Sequence, residues 1–426
     1  MEERIKKECP GVKWLANYAV LGPCDYLDIF EASDSDTATK VALLVRSFGH
    51  GTTETWVATP WDRFTSLAAG LKGLTVVVLE IDGSLYSGSG TIVRQAVAFS
   101  ALTGNAIRVI NVRAKRSKPG LRRQHAQAVE AIRQLVDGTT EEATVGSREF
   151  VFWPGASSQS QHYNWDIGSA GSTTALALAV LPVLAFGSSR VSIELRGGLF
   201  QDFAPSFYHL EHVLLPLLNR MGFVATMRME RPGYVPTGQG IWHLTATPAT
   251  STLQALILDE PGVVKNIWGI ALSSRLKEQS VSDRMAEAAM LAIGAAGYQA
   301  SFQVLYDDRA LQAGAGLAAF ADLSSGARIG SDRAGALGRR SETIGKYVAR
   351  QLLEDLKTGA TLDRFASDQI IPLAALAAGE SRFRIPRLSE HIQSNAWLSR
   401  EFLGAEVKID GQDLIVRGVG FHARSG

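Results

Sequence analysis

The sequence predicts a mixed α/β (α+β) fold: a large domain of three repeated strand–helix–strand units, a smaller α/β insert and a short N-terminal α+β module. Three observations predict it. One pattern (strand, loop, amphipathic helix closed by glycine, returning strand) recurs three times, as expected of a repeat-built fold whose sheets are covered by helices. Each copy follows a strongly apolar helix, at 91–103, 172–187 and 366–378. The character of the chain also changes near Leu74, where TVVVLEID opens a nearly continuous apolar strand.

Residues 1–72 read as helix, strand (Val12–Val20), strand (Tyr26–Glu31), helix (Asp36–Val45) and strand (Thr53–Ala58). Ser35 among Asp34 and Asp36 suits a helix start, and Gly49 with Gly51 its stop. After TVVVLEID comes the glycine-rich turn GSLYSGSG and then a helix, in which Ile92, Val93, Ala96, Val97 and Phe99 fall at helical spacing. The repeats are GNAIRVINVRAKRSKPG with QHAQAVEAIRQLVDG, SSRVSIELRGG with FYHLEHVLLPLLNRMG and VATMRMERPG, and GESRFRIPRLSE with HIQSNAWLSREFLG and AEVKIDG. They place the large domain at 73–251 and 339–426. Strands near Val264–Leu272 and Tyr298–Tyr306, around the helix SDRMAEAAMLAIGAAG, read as an insert at 252–338.

The chain has 426 residues, 43 Lys+Arg against 42 Asp+Glu, 46 % hydrophobic and 20 % charged. This is the balance of a folded globular protein, and a net charge of +1 supplies no global field for a polyanion. Cys9 and Cys24 are the only cysteines, which excludes a disulfide scaffold and a cysteine zinc module. MEERIKKECP lacks a signal-peptide core, and the apolar run Thr173–Gly187 contains Pro182 and is shorter than the roughly 20 residues of a span. A soluble, cytoplasmic protein is expected.

Three constellations can carry chemistry. Between Ala96 and Val129 there is no acid, yet Arg108, Arg113, Lys115, Arg116, Lys118, Arg122 and Arg123 occur. Guanidinium forks suit phosphate, although a solvated basic loop has the same composition. Gly83, Gly88 and Gly90 stand between a strand and a helix start, as an oxyanion cradle or merely as a tight turn. His391, at the start of the last helix, feels the positive end of the dipole, which favours the neutral, nucleophilic imidazole; a cap or surface histidine is the plainer reading. The other seven histidines show no metal-binding spacing.

IDGSLYSGSGTIVRQAVAFSALTG, NVRAKRSKPGLRRQH, DIGSAGSTT, ELRGG…AP, RPGYVPTGQG, DQIIPLAALAAG and EHIQSNAWLSREFLG, in this order, resemble the motifs of the RNA 3′-terminal phosphate cyclase family over about residues 75–425. The resemblance implies three βαβ-type repeats with an inserted subdomain. It also implies ATP-dependent adenylylation of a histidine, here His391, and conversion of an RNA 3′-phosphate to a 2′,3′-cyclic phosphate. By motif position it assigns Arg94, Arg113 and Arg116 to catalysis, and Gln124, Phe365, Asp368, Gly88 and Gly90 to ATP. Lys115, Lys118, Arg122 and Arg123 are assigned to the RNA phosphates.

A divalent cation, Mg or Mn, is implied with its protein ligands left open. Ser87 stands where the family has a glutamate, and Thr91 and Leu178 where it has glutamines, while Phe365 replaces a tyrosine. These departures keep two alternatives in view: a non-catalytic RNA- or ribonucleoprotein-binding relative, and an adenylyltransferase with a non-RNA acceptor. LGPCDYLDIFEA and TTETWVA resemble the GYD-domain family, which implies a ferredoxin-like module and a homodimer formed through it.

Overall fold

Strand-forming runs and Gly-closed helices of the kind read above appear in the computed structural model, which describes residues 2–20, 26–48, 53–56, 58–59 and 78–422. The chain divides into two compact units, Met1–Thr75 and Val76–Gly426. In the first, α1 (Glu2–Glu8), β1 (Lys13–Ala19), β2 (Tyr26–Glu31) and α2 (Ser35–Ser47) follow in order, and β1 pairs antiparallel with β2. Asp34, rather than Ser35, caps α2 by accepting from the Thr37 amide at 2.7 Å. Ile5, Cys9, Val41 and Leu44 form the small core, with Trp14 and Phe30 against it. The strand expected from Thr53 is not formed over Thr53–Trp56. Arg46 donates to the Thr53 hydroxyl (2.8 Å) and carbonyl. Residues 21–25, the helix stop at Gly49 and Gly51, and 75–77 lie outside the described residues.

The second unit is built three times over from β-α-β-α-β-β. In the first repeat β3 (Leu79–Asp82), α3 (Gly90–Thr103), β4 (Ile107–Ile110), α4 (Arg123–Leu135), β5 (Thr139–Glu141) and β6 (Phe150–Trp153) make a sheet ordered β3-β4-β6-β5. The second has β7 (His162–Asp166), α5 (Thr173–Ala185), β8 (Val191–Gly197), α6 (207–220, with a π-helical turn at Leu210–Leu214), β9 (Val224–Arg231) and β10 (Gly240–Thr247), ordered β7-β8-β10-β9. The third begins at β11 (Ile257–Leu258) and is interrupted at once by the insert.

The insert comprises β12 (Val264–Ser274), α7 (Val281–Gly294), β13 (Ala300–Tyr306), β14 (Gly314–Leu323) and β15 (Arg328–Ala334), with α8 (Ser341–Lys357) packed on α7. The repeat resumes with α9 (Ala366–Gln369), α10 (Ile371–Leu376), β16 (Ala378–Arg384), α11 (Glu390–Leu403), β17 (Glu406–Asp410) and β18 (Asp413–Val419). Its sheet, β11-β16-β18-β17, repeats the order of the other two. In each sheet the first pair is parallel and the other two are antiparallel.

The common order has a physical cause. The apolar helix after the first strand must cross over to a parallel neighbour, whereas the last two strands form a hairpin that adds antiparallel. Every residue of α5 is buried, as its unbroken apolar run requires. Helix α3 packs against α4, α5 and α11. This brings the glycine-rich turn before α3 to the start of α11, although some 300 residues separate them. No helix among the described residues is long and apolar enough to cross a membrane.

Candidate active site

His391 is the second residue of α11, one position after Glu390, and the Ser389 hydroxyl caps the helix by accepting from the Ile392 amide at 3.2 Å. Its Nδ1 lies 3.0 Å from Thr91 Oγ1 and 3.5 Å from Ser89 Oγ, both at the start of α3. Burial, then the charges of Arg94 and Arg116, push the imidazole pKa down to about 4. The ring is therefore neutral at physiological pH, the state a nucleophile needs.

A chain of hydroxyls links the start of α3 to the histidine helix. Ser394 Oγ donates to the Glu390 carbonyl at 2.9 Å, so its lone pairs face Ser87, whose amide (3.3 Å) and hydroxyl (2.8 Å) approach it. Ser87 Oγ is 3.0 Å from Ser89 Oγ. A hydroxyl has one proton to give. With each proton passed toward Glu390, Ser89 Oγ is left as an acceptor, already receiving the Thr91 amide at 3.3 Å. With Nδ1 held between the Ser89 and Thr91 hydroxyls, Nε2 is the ring nitrogen left without a hydrogen-bond partner among the described residues.

Arg94 lies one turn along α3 from Thr91, with Nη2 at 3.5 Å from Thr91 Oγ1. Its Nε is buried without a partner, an unsatisfied donor that an anionic oxygen would satisfy. Burial lowers the Arg94 pKa while Asp368 raises it. Conversely, burial pushes the Asp368 carboxyl up to about 7, against the pull of Arg94. Asp368 is tied to the histidine helix through its carbonyl, which accepts from Asn395 Nδ2 at 2.6 Å.

The remaining expected residues divide into groups. Arg116, Lys118 and Arg122 are exposed, and among the described residues none forms an ion pair. Arg113, in a left-handed backbone conformation, points Nη1 at the carbonyls of Lys118 (2.8 Å) and Gly120 (2.7 Å), and so braces the basic loop. Lys115 donates to the Tyr86 carbonyl, and its stem covers Gly88, where a Cβ would sit 2.5 Å from Lys115 Cγ. At Gly90 a Cβ would fall 2.1 Å from His125 Nε2, so glycine is what allows His125 to reach the start of α3. Gln124 Oε1 accepts from the Ser172 amide at 2.9 Å and orients the start of α5. Arg123 reaches away, to the Gly168 carbonyl. Leu178 is buried in α5. Arg108 corrects the view of an uncompensated stretch: it pairs with Glu149 at 3.1 Å and Glu80 at 3.6 Å, acids supplied by neighbouring elements.

Two features escape the sequence reading. His125 is buried, and burial together with Arg113, Arg94, Arg122 and Arg116 pushes its pKa down to about 3. Its Nδ1 accepts from the Arg122 amide at 3.2 Å. Far along the chain, His209 Nε2 lies 3.0 Å from both carboxylate oxygens of Asp363, and both residues are fully buried. Burial opposes charge on each, but their mutual attraction holds the His209 pKa above and the Asp363 pKa below its usual value. Asp363 also accepts the amides of Gly330, Phe365 and Ala366 at 2.9 Å, fastening the insert to α9 and thereby positioning Phe365 and Asp368. Phe365 meets the His209 ring edge-on, centroids 5.5 Å apart. His209 and Asp363 stand 154 residues apart, so local pattern carries no trace of them.

The donor set fits phosphate better than a metal. Among the described residues no group of three or more His, Cys, Asp or Glu side chains is placed to hold an ion. Ser87 stands where the family resemblance implied a carboxylate, within a set of neutral hydroxyls that hold a hard divalent cation more weakly than carboxylates do.

Fold and site define a class: a repeat-built α/β protein presenting a neutral histidine among guanidinium groups suited to phosphoryl chemistry. The family model for RNA 3′-terminal phosphate cyclase matches residues 85–409, and that for the GYD domain matches residues 1–68. A protein named RNA 3′-terminal phosphate cyclase from Methanopyrus kandleri is 36 % identical over 341 residues, 79 % of this chain and 96 % of its own. Those of the same name from Hyperthermus butylicus and Pyrococcus abyssi are 36 % and 33 % identical, covering 79 % of this chain and 95 % and 96 % of theirs. The enolpyruvyl transferase NikO from Streptomyces tendae aligns at a TM-score of 0.35 and 12 % identity over 81 % of this chain and 49 % of its own, too distant to bear on the site. The chain belongs to the RNA 3′-terminal phosphate cyclase family.

Proposed function

We propose that the chain is an ATP-dependent RNA 3′-phosphate cyclase that works through a histidine–AMP intermediate. The observation that carries this is His391: neutral, bonded through Nδ1 to Thr91, and set beside Arg94 and Arg116. Nε2 attacks the α-phosphorus of ATP, a P–N bond forms, and pyrophosphate leaves. An oxygen of the RNA 3′-phosphate then takes the adenylyl group and releases the imidazole. The vicinal 2′-hydroxyl attacks the activated phosphorus, loses its proton and expels AMP, which leaves the 2′,3′-cyclic phosphate. Splitting the transfer makes each step an in-line displacement at phosphorus.

In this reading Arg94, Arg113 and Arg116 stabilise charge on the equatorial oxygens, and the unpartnered Arg94 Nε is the donor most suited to do so. Gln124, Phe365, Asp368, Gly88 and Gly90 shape the nucleotide site. Of the residues assigned to the RNA phosphates, Lys118 and Arg122 are exposed with uncommitted head groups and supply the track, while Lys115 and Arg123 already donate to the Tyr86 and Gly168 carbonyls. Because no group of three or more His, Cys, Asp or Glu side chains among the described residues is placed to hold an ion, a Mg or Mn ion would be held largely by the triphosphate and water. Incubation with α-labelled ATP tests the reading: wild type becomes labelled and His391→Ala does not. Ser87 in place of an acid favours the second reading, a non-catalytic RNA-binding relative, which would bind RNA and never label.

A further inference from the structure

The glycine-rich turn holds a residue that the proposed chemistry does not use. Tyr86 has a φ of +43°, a left-handed conformation that glycine adopts freely and a tyrosine adopts at a cost. It is also 39 % exposed, with Leu85 beside it at 40 %, so burial of the ring is not what repays that cost. Its ring lies against the half-buried Trp397 of α11, centroids 5.7 Å apart and planes tilted by 42°. Two contacts fix its place. Lys115 of the basic loop donates to the Tyr86 carbonyl, and the next residue, Ser87, is bonded to Ser394, one turn along α11 from His391.

We propose that Tyr86, backed by Trp397, is a stacking platform for the base of the acceptor's 3′-terminal nucleotide. This rests on the adenylyl-transfer reading above. An RNA end whose phosphate is delivered to His391 and Arg94 carries its base on the same sugar, within one nucleotide's reach of the histidine helix. The Tyr86–Trp397 pair puts a part-exposed aromatic surface on that helix. Phe365, assigned above to the nucleotide, is engaged by His209. Stacking needs an accessible ring near a cationic track that holds the backbone, and Tyr86 is part-exposed with Lys115 on its own carbonyl and Lys118 in the same loop. A platform of this kind tolerates any base and discriminates against an end that has none.

The test uses the full chain and RNA oligonucleotides ending in a 3′-phosphate, with 2-aminopurine at the last nucleotide or at an internal one. Binding to wild type and Tyr86→Phe is expected to quench the terminal probe and leave the internal one bright. Tyr86→Leu abolishes the quench and weakens RNA binding roughly 5- to 100-fold, the range for loss of one base stack. An abasic 3′-terminal nucleotide removes the difference between wild type and Tyr86→Leu. Tyr86→Gly relieves the backbone and is expected to melt no lower than wild type while losing the quench, which separates stacking from folding. Labelling of His391 by ATP stays unchanged in all three variants, so its failure in wild type would count against the proposed function and not against the platform. Terminal quenching that is absent in wild type or survives Tyr86→Leu overturns the proposal. So does RNA that fails to bind wild type, or a Tyr86→Leu defect confined to ATP labelling, which would assign the ring to adenine.

Discussion

Thr91 makes the shorter of the two hydroxyl contacts that orient His391, and Thr91→Val removes it with little change of shape. The Thr91 side chain is 4 % exposed, and its hydroxyl lies 3.0 Å from Nδ1. Valine leaves Nδ1 with only the Ser89 hydroxyl, at 3.5 Å. A buried polar group left without its partner costs about 1–3 kcal/mol. If that cost falls on the reactive tautomer and ring position, self-adenylylation slows by roughly 5- to 100-fold, at about 1.4 kcal/mol per decade. The assay is single-turnover labelling with α-labelled ATP, quenched over time, with thermal melting as a control for folding. Thr91→Ser, which retains the hydroxyl, is expected to keep most of the rate. Labelling of Thr91→Val at the wild-type rate, or an equal loss in Thr91→Ser, would refute the orienting role.

Further outcomes follow from the same geometry. Because burial raises the Asp368 pKa to about 7, the folded state binds a proton that the unfolded chain releases near its ordinary value of about 4. Stability is therefore lost as pH rises toward 7, and Asp368→Asn should flatten that slope in melting curves; an unchanged slope counts against it. Lys118→Ala combined with Arg122→Ala should reduce the salt dependence of RNA binding by about 1.4 in the log–log slope, some 0.7 per lost contact on a single strand, while an unaltered slope would remove these residues from the RNA track. For the N-terminal unit, light scattering of the full chain against one lacking residues 1–72 should show a dimer reduced to a monomer, and identical masses would reject a dimerisation role.

Much of the large domain was legible because its signals are periodic. The apolar stripe of Ile92, Val93, Ala96 and Val97 marks a helix whatever surrounds it, and α3 indeed spans Gly90–Thr103. The first strand of the third repeat was not legible: β11 is two residues long, far below any periodic signal, and is defined only by pairing with β16 across the insert. Thr53–Trp56 reads as a strand from its β-branched threonines, yet among the described residues no ladder forms there, and the Thr53 carbonyl accepts from the Arg46 side chain. At the site, His391 and Arg94 were legible through motifs. The Ser87–Ser394 contact spans 307 residues and the His209–Asp363 pair spans 154, and only the folded chain brings such partners together. Arg108 makes the same point from the other side, since the acids that neutralise it lie on Glu80 and Glu149, outside the acid-free segment.

The central claim is that His391 carries the adenylyl group. The most direct measurement is mass spectrometry of the protein after incubation with ATP and a divalent cation, with peptide mapping of the adduct. The expected result is one AMP attached to the peptide containing His391, acid-labile as a P–N bond is, and absent from His391→Ala. An adduct that persists in His391→Ala, or a wild-type protein that binds RNA and ATP yet never gains AMP, would contradict it.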